Sequence, residues 1–231
     1  MNYTLRSLKN PDTILIQNEY YPKGLTELDI NNYYHSIKNK LLYEIQNREL
    51  ILFIGTDINK TIVRRHDKND EYITIHKNNF DQIMHGRVVS IVSTMKRVES
   101  FGIIDIDYYD FKICKDIVLN ISEYLKNLTI IDHISIRFTG KSSFHIIVYF
   151  KIKYEINWIR SYLNEILNNK FKDIYDISYK RNSTIPNLDL SPNKFRGGFI
   201  TQYSLSIIGL KCMEVPLRQI PSFDKQFAKI K

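Results

Sequence analysis

Apolar residues recur with a helical period early in the chain. Between residues 25 and 45 they fall at a spacing near 3.6, at Leu28, Tyr33, Tyr34, Ile37, Leu41, Leu42 and Ile45. Thr26 stands just before this series and Asp29 follows three residues later, the arrangement typical of a helix N-cap. The pattern predicts one helix over 25–45, capped at Thr26.

Short runs of β-branched and aromatic residues follow this helix. The runs are "ELILFIGT", "TIVRRH" and "EYITIH", and the turn sequences "DINK" and "DKND" divide them. Such runs between turn residues are typical of antiparallel strands, so we expect a three-stranded meander. Helix and meander together predict an N-terminal lobe over residues 1–98. The pattern does not decide the structure of 80–98.

The second half of the chain alternates strand and helix patterns. In order they are "GIIDID", a helix over 110–128, "HISIRF", "FHIIVYF", a helix over 155–169, and "NLDL". This βαββαβ series is a split βαβ unit. In that unit the strands usually lie in the order fourth, first, third, second, so the first strand lies between the third and fourth.

Two aspartates alternate with isoleucine in the first strand of this unit. Asp105 and Asp107 share one face because residues two apart on a strand point the same way. Asp189 lies in the fourth strand, which the expected order places beside the first. Clustered carboxylates are costly unless cations compensate them, and oxygen ligands suit Mg²⁺ or Mn²⁺. Alone, an Asp-x-Asp pair also fits a calcium-like or solvated surface pair.

A Gly-Lys-Ser-Ser turn joins the second and third strands of the unit. Its backbone N–H groups and hydroxyls, with Lys141 and with His145 at the start of the next strand, suit a triphosphate. The same residues fit an ordinary hairpin. Because a strand follows the turn where a P-loop has a helix, the turn is not a P-loop.

Composition limits the classes of molecule that the protein is expected to bind. With 231 residues, 43% of them apolar, the chain can form one large domain or two small lobes. A formal net charge of +8 favours a polyanion, either nucleic acid or an anionic membrane, although an AT-rich genome also yields basic proteins. The two cysteines stand apart, and no apolar run approaches the roughly 20 residues of a membrane span. We therefore expect a soluble intracellular protein without structural zinc or a membrane partner.

Taken in order, four segments resemble the archaeo-eukaryotic primase superfamily, most closely the polymerase domain of DNA ligase D and its stand-alone relatives. They are "YYPKGLTELDINNYY", "IIDID", "FTGKSSFHIIV" and "LDLSPNKFRGGFITQYSLSIIGLKCMEVPL". The resemblance covers most of the chain. It implies an α+β, two-lobed primase-polymerase fold in a single catalytic domain over 1–231. The metal site would lie in a split βαβ, RRM-like lobe over 99–231.

The resemblance also implies a set of site residues. Two Mg²⁺ or Mn²⁺ ions would be held by Asp105, Asp107 and Asp189. The incoming nucleotide would be bound by Thr139, Gly140, Lys141, Ser142, His145 and Arg196. Apart from the resemblance, the basic residues Lys23, Arg64, Arg65 and His66 are candidates for contacts to nucleic-acid phosphates, although a solvated basic strand explains the last three equally well. Glu27 occupies the position where ligase D polymerases usually carry a lysine for a recessed 5′-phosphate, so we expect repulsion of that phosphate.

Three functions remain open at this stage. The first is a template-dependent nucleotidyltransferase that adds NTPs or dNTPs to a DNA primer in repair or end joining, working with a separate ligase and an end-binding protein. The second is a primase of a virus, plasmid or archaeal replicon. The third is a non-catalytic module that binds single-stranded nucleic acid on an open sheet face. Acids on that face argue against the third function because they repel phosphate unless metal is bound.

Overall fold

The structure, a computed structural model, describes residues 11–84, 87–177 and 185–230. It divides into two compact units. The first unit contains the described residues up to Thr94, Gly198–Cys212, and those from Lys225 onward; the second contains Met95–Gly197 and Met213–Asp224. None of the described helices is long and apolar enough to cross a membrane.

The described residues form the following helices and strands. The helices are α1 (Glu27–Ser36), α2 (Lys38–Ile45), α3 (Phe80–Met84), α4 (Phe111–Lys126) and α5 (Ile156–Phe171), with short 3₁₀ helices at Leu217–Gln219 and Lys225–Ala228. The strands are β1 (Ile14–Ile16), β2 (Leu25–Thr26), β3 (Leu50–Asp57), β4 (Lys60–Arg64), β5 (Val88–Thr94), β6 (Val98–Asp107), β7 (Ile131–Phe138), β8 (Phe144–Glu155), β9 (Asn187–Asp189), β10 (Gly198–Ile200) and β11 (Met213–Glu214).

The helical segment predicted near the N-terminus is two helices where the sequence predicted one. The cap is as expected, because the Thr26 hydroxyl accepts from the Asp29 N–H and the Asp29 carboxylate accepts from the Thr26 N–H. The helix breaks at Ile37, whose ψ of 8° is not helical. Next to the break, the Ser36 hydroxyl donates to the Tyr33 carbonyl at 2.6 Å, and such bonds compete with the helical ladder.

The sheet of the first unit differs from the predicted meander. Its order is β10-β5-β3-β4, and "EYITIH" makes only isolated bridges, such as Leu50 with Ile73. The run does not pair along β4, which ends at Arg64 opposite Leu52; Ile73 instead bridges Leu50, at the position beside β3 that a longer β4 would occupy. One of its strands, β10, comes from the second half of the chain.

The five-stranded sheet of the second unit confirms the predicted strand order. Its order is β11-β7-β8-β6-β9, so β6 lies between β8 and β9 as the split βαβ unit requires. A two-residue strand, β11, extends the sheet beyond β7 and was not predicted. Together with the helices, this arrangement confirms the α+β class.

The position of α5 fixes which face of β6 carries the acids. A Cβ atom at Gly102 would lie 2.6 Å from Ile159 and 2.7 Å from Leu163, so Gly102 faces α5. By alternation Ile104 and Ile106 face the same side, and both are completely buried. Asp105 and Asp107 therefore point to the opposite face, as the sequence predicted.

A buried tyrosine links α1 to two distant segments of the first unit. The Tyr34 hydroxyl donates to the Val89 carbonyl at 2.7 Å and accepts from the Leu205 N–H at 3.1 Å. Burial raises the pKa of this hydroxyl to about 12, so it stays neutral. The hydroxyl satisfies two backbone groups that have no access to water there.

We expect Tyr34→Phe to destabilise the protein because it leaves these two buried backbone groups without their partner. An unsatisfied buried group costs about 1–3 kcal/mol, and urea titration should show a decrease in the free energy of unfolding of that size. Tyr43→Phe is the matched control because Tyr43 is 77% exposed, and it should change nothing. Equal stability of both variants would show that water replaces the Tyr34 hydroxyl.

Candidate active site

Three carboxylates lie together on two adjacent strands of the second unit. Asp105 of β6 stands directly opposite Asp189 of β9, and Asp107 follows on the same face of β6. One carboxylate oxygen from each residue lies within 4.8 Å of the other two. At this spacing each pair repels by at least about 3 kcal/mol with an effective dielectric constant of about 20. The cluster therefore needs a compensating positive charge.

The carboxylates of Asp189 and Asp105 differ in their hydrogen bonds. The Ser191 N–H donates to Asp189 Oδ1 at 2.6 Å, and the Ser191 hydroxyl donates to Oδ2 at 2.8 Å. Asp105 Oδ1 is buried and receives no hydrogen bond from the described residues. A buried carboxylate oxygen without a donor is costly unless a cation reaches it.

These residues fit Mg²⁺ or Mn²⁺. All three ligands are carboxylates, which hard divalent cations prefer, and no soft sulfur ligand lies in the group. The orphaned Asp105 oxygen and the mutual repulsion of the three charges would both be relieved by a bound cation. The described acidic triad can therefore hold a metal ion.

His145 lies beside the acids on the neighbouring strand. It is paired with Asp105 across β6 and β8, and its Nε2 atom is 3.5 Å from Asp105 Oδ1. That distance is too long for a good hydrogen bond. His145 is only 5% exposed, and its Nδ1 atom has no hydrogen-bond partner among the described residues. The imidazole thus keeps hydrogen-bonding capacity next to the triad.

The predicted nucleotide-binding turn is a tight hairpin between β7 and β8. The Thr139 hydroxyl donates to the Ser143 carbonyl at 3.0 Å, and the Thr139 N–H donates to the same carbonyl at 3.1 Å. Gly140 has a φ of +85°, which glycine adopts without strain. Thr139 therefore closes the turn, while Lys141 is exposed and Ser142 half-buried at its tip.

Arg196, the remaining predicted nucleotide-binding residue, lies outside the β7–β8 turn and contacts the ring of Phe195. Its guanidinium carbon is 4.9 Å from the centre of the Phe195 ring, and that of Arg97 is 4.5 Å from the same centre. The Arg196 N–H donates to the Met95 carbonyl, and Arg196 has a φ of +61°, which is uncommon outside glycine. The structure thus joins Arg196 to a second arginine through an exposed aromatic ring.

Sequence analysis missed three residues that lie on or contact the strands of the candidate site. Ser191 holds Asp189, and the side chain of Asn193 bonds the backbone of Ile103 in β6. Arg137 of β7 is paired with His145 and is 8% exposed. The alternation of the β7–β8 hairpin contained the signal for Arg137, because pairing Phe138 with Phe144 places Arg137 opposite His145.

The basic candidates of the first unit are only partly arranged as expected. Lys23 is exposed. Arg64 ends β4, and Arg65 and His66 follow it, so the basic strand expected over these three residues stops at Arg64. The reason is local: Arg64 Nε donates to the His66 carbonyl at 3.1 Å, and His66 bridges to Tyr72.

Glu27 does not present a free negative charge. It is 4% exposed, and its Oε2 atom accepts a hydrogen bond from Arg87 Nε at 2.7 Å. The guanidinium neutralises the carboxylate inside the first unit. The expected repulsion of a 5′-phosphate by Glu27 therefore loses its physical basis.

Comparison with known proteins gives a structural likeness without a sequence match. No protein-family model matches the chain, and no curated protein matches its sequence. Among solved structures it is similar to the polymerase domain of ligase D from Mycobacterium tuberculosis in complex with DNA, with a TM-score of 0.77. The likeness covers 96% of this chain and 91% of the other, at 11% identity. The resemblance inferred from the motifs is confirmed at the level of the fold.

Proposed function

We propose that this protein is a metal-dependent nucleotidyltransferase that adds NTPs or dNTPs to a primer on a nucleic-acid template. The observation that supports this function most is the triad of Asp105, Asp107 and Asp189 beside a buried histidine, on a polymerase-like fold. A carboxylate triad on two paired strands needs cations, and nucleotidyl transfer is a reaction that uses two of them.

Different side chains of the second unit would have separate roles in nucleotide addition. Bound Mg²⁺ or Mn²⁺ ions would activate the attacking 3′-oxygen and neutralise the triphosphate. Asp105, Asp107 and Asp189 hold the position for those ions, and Ser191 fixes the orientation of the Asp189 carboxylate. His145 would donate to the phosphates through a ring N–H, and Lys141 would add positive charge from the turn.

We further propose that the substrate is DNA at a gap or break. The structurally similar domain was solved in complex with DNA and belongs to a ligase. The net charge of +8 favours binding to a phosphate backbone. A separate ligase and an end-binding protein are the partners expected of such an enzyme. Lys23, Arg64, Arg65 and His66 remain candidates for contacts to the DNA phosphates, and Arg196 remains a candidate for binding the incoming nucleotide.

The direct test of this function is extension of a labelled primer on a longer template. We expect Mn²⁺-dependent addition of nucleotides that follow the template sequence, and no addition in EDTA. An arm without primer separates a primase, which would start chains, from a primer-extending polymerase. Binding of single strands without any incorporation, in Mn²⁺ or Mg²⁺ and with NTPs or dNTPs, would instead favour the non-catalytic binding module.

A further inference from the structure

The short strand β9 is continued by a side chain. Backbone pairing of β9 with β6 ends at Asp189, which lies opposite Asp105. At Ile103, two residues before Asp105 in β6, the side-chain amide of Asn193 pairs with both the backbone N–H and the backbone carbonyl. Asn193 Oδ1 accepts from the Ile103 N–H at 2.7 Å, and Nδ2 donates to the Ile103 carbonyl at 2.5 Å. The amide therefore replaces a strand residue at that position.

Because Asn193 pairs with Ile103, the backbone N–H of Ser191 is not needed for pairing with β6 and can bond to Asp189. If β9 continued in the same register, Ser191 would stand opposite Ile103. The chain turns instead, and the Asn193 N–H donates to the Leu190 carbonyl at 3.0 Å. The Ser191 N–H and hydroxyl are then available to hold the two oxygens of Asp189. One turn thus serves both β6 and the third carboxylate.

Packing keeps the Asn193 amide in place. Asn193 is completely buried, and its Nδ2 also donates to the Leu190 carbonyl at 3.2 Å. A Cβ atom at Gly102 would come within 3.2 Å of Asn193 Oδ1, so the bare glycine gives the amide room to approach β6. The amide has little freedom to move, because its donor and acceptor groups are engaged in a space without water.

We propose that Asn193 and Ser191 are positioning residues for the metal site. Asn193 sets the distance of Asp189 from Asp105 by tying the turn after β9 to β6, and Ser191 sets the rotation of the Asp189 carboxylate. Neither side chain needs to touch the metal. The proposal rests on the proposed function only in requiring that the triad bind a divalent cation.

Mn²⁺ binding to the protein without nucleic acid tests this proposal. The Kd for Mn²⁺, from electron paramagnetic resonance of the free ion, should rise about 10–100-fold in Asn193→Ala and in Ser191→Ala, as is typical when partners of metal ligands are removed. Ser191→Thr keeps the hydroxyl and should restore the wild-type Kd. An unchanged Kd in Ser191→Ala, or in folded Asn193→Ala, would overturn the proposal. If Asn193→Ala does not fold, the two Ser191 variants decide it alone.

A matched control separates positioning from simple loss of stability. Asn31 is a buried asparagine of the first unit whose Nδ2 donates to the Met84 carbonyl at 3.2 Å. Asn31→Ala should lower the melting temperature and leave the Kd for Mn²⁺ unchanged. Amide hydrogen exchange at Ile103 should accelerate in Asn193→Ala and stay at the wild-type rate in Asn31→Ala. Equal loss of Mn²⁺ affinity in the Asn31 control would reduce the Asn193 effect to general destabilisation and overturn the proposal.

These measurements distinguish failure of the positioning roles from failure of the proposed function. If the wild-type protein binds Mn²⁺ and the variants bind it more weakly, the positioning roles hold even if primer extension is never observed. If the wild-type protein extends primers and the variants bind Mn²⁺ as tightly as it does, the positioning roles are wrong and the proposed function stands. Failure of the wild-type protein to bind Mn²⁺ contradicts both.

Discussion

Asp107→Asn is expected to reduce nucleotide addition at least about 100-fold while leaving the fold intact. Asparagine keeps the shape of the side chain but removes one of three charges that would attract the cations. Partners that merely support metal ligands typically contribute 10–100-fold, so a direct ligand should contribute at least as much. Steady-state primer extension in Mn²⁺ measures the loss. Affinity for primer-template should hold or rise slightly, because repulsion of phosphate also falls.

A nearby aspartate provides the control for that substitution. Asp110 caps α4 by accepting from the N–H groups of Lys112 and Ile113, and asparagine caps a helix equally well. Asp110→Asn should therefore retain full activity, although Asp110 is only three residues from Asp107 in the sequence. If Asp107→Asn kept its activity and lost thermal stability, Asp107 would be a structural residue satisfied by a neighbouring cation. The two-metal proposal would then fail.

His145→Ala is expected to raise the KM for nucleotide about 10–100-fold. A hydrogen bond to a charged group contributes about 1.5–3 kcal/mol, and removing the imidazole removes a donor that lies 3.5 Å from Asp105. The Kd for primer-template, from fluorescence anisotropy, should remain within a few-fold of the wild-type value. His145→Gln retains an N–H donor and should recover part of the loss.

His133 is the control for this second prediction. It lies on β7 of the same sheet and stacks on Tyr149 at 4.2 Å, but it is exposed and bonds to Asp132. His133→Ala should leave the KM for nucleotide unchanged. Loss of DNA affinity in His145→Ala with an unchanged KM would mean that the nucleotide binds elsewhere.

The order of strands around the triad could be predicted from the sequence because topology and alternation act together. The βαββαβ series allows few sheet orders, and the observed β9-β6-β8-β7 order is the usual one. Alternation within "IIDID" then decides the face of each aspartate, because isoleucine favours burial and aspartate does not. Residues from opposite ends of the unit could therefore be placed side by side.

Pairing between distant segments was beyond the sequence pattern. The run "EYITIH" has the composition of a strand, yet it makes only isolated bridges, and Ile73 bridges Leu50 of β3 where the predicted meander would pair it with β4. Strands as short as β10 and β11 carry no periodicity, and their places depend on tertiary partners. The split of the first helix at Ile37 lies in an apolar series that continues on both sides of it, so the spacing of apolar residues does not indicate it.

The residues that support the triad were missed for a related reason. Asn193 stands in a turn sequence, and asparagine in a turn ordinarily indicates only local bonds. Its bonds to Ile103 span 90 residues of sequence, so no local pattern contains them. Glu27 shows the reverse case. Its position suggested an exposed repulsive charge, but the structure pairs it with Arg87, 60 residues away.

A crystal structure with Mn²⁺ and a non-hydrolysable nucleoside triphosphate tests the central claim most directly. Anomalous scattering from manganese locates the ions independently of the protein density. We expect two manganese peaks within coordination distance of Asp105, Asp107 and Asp189, with the triphosphate bound to them and His145 in contact with a phosphate oxygen. A bound triphosphate without manganese at the three aspartates, or manganese only elsewhere on the protein, would contradict the metal-dependent nucleotidyltransferase proposed for this chain.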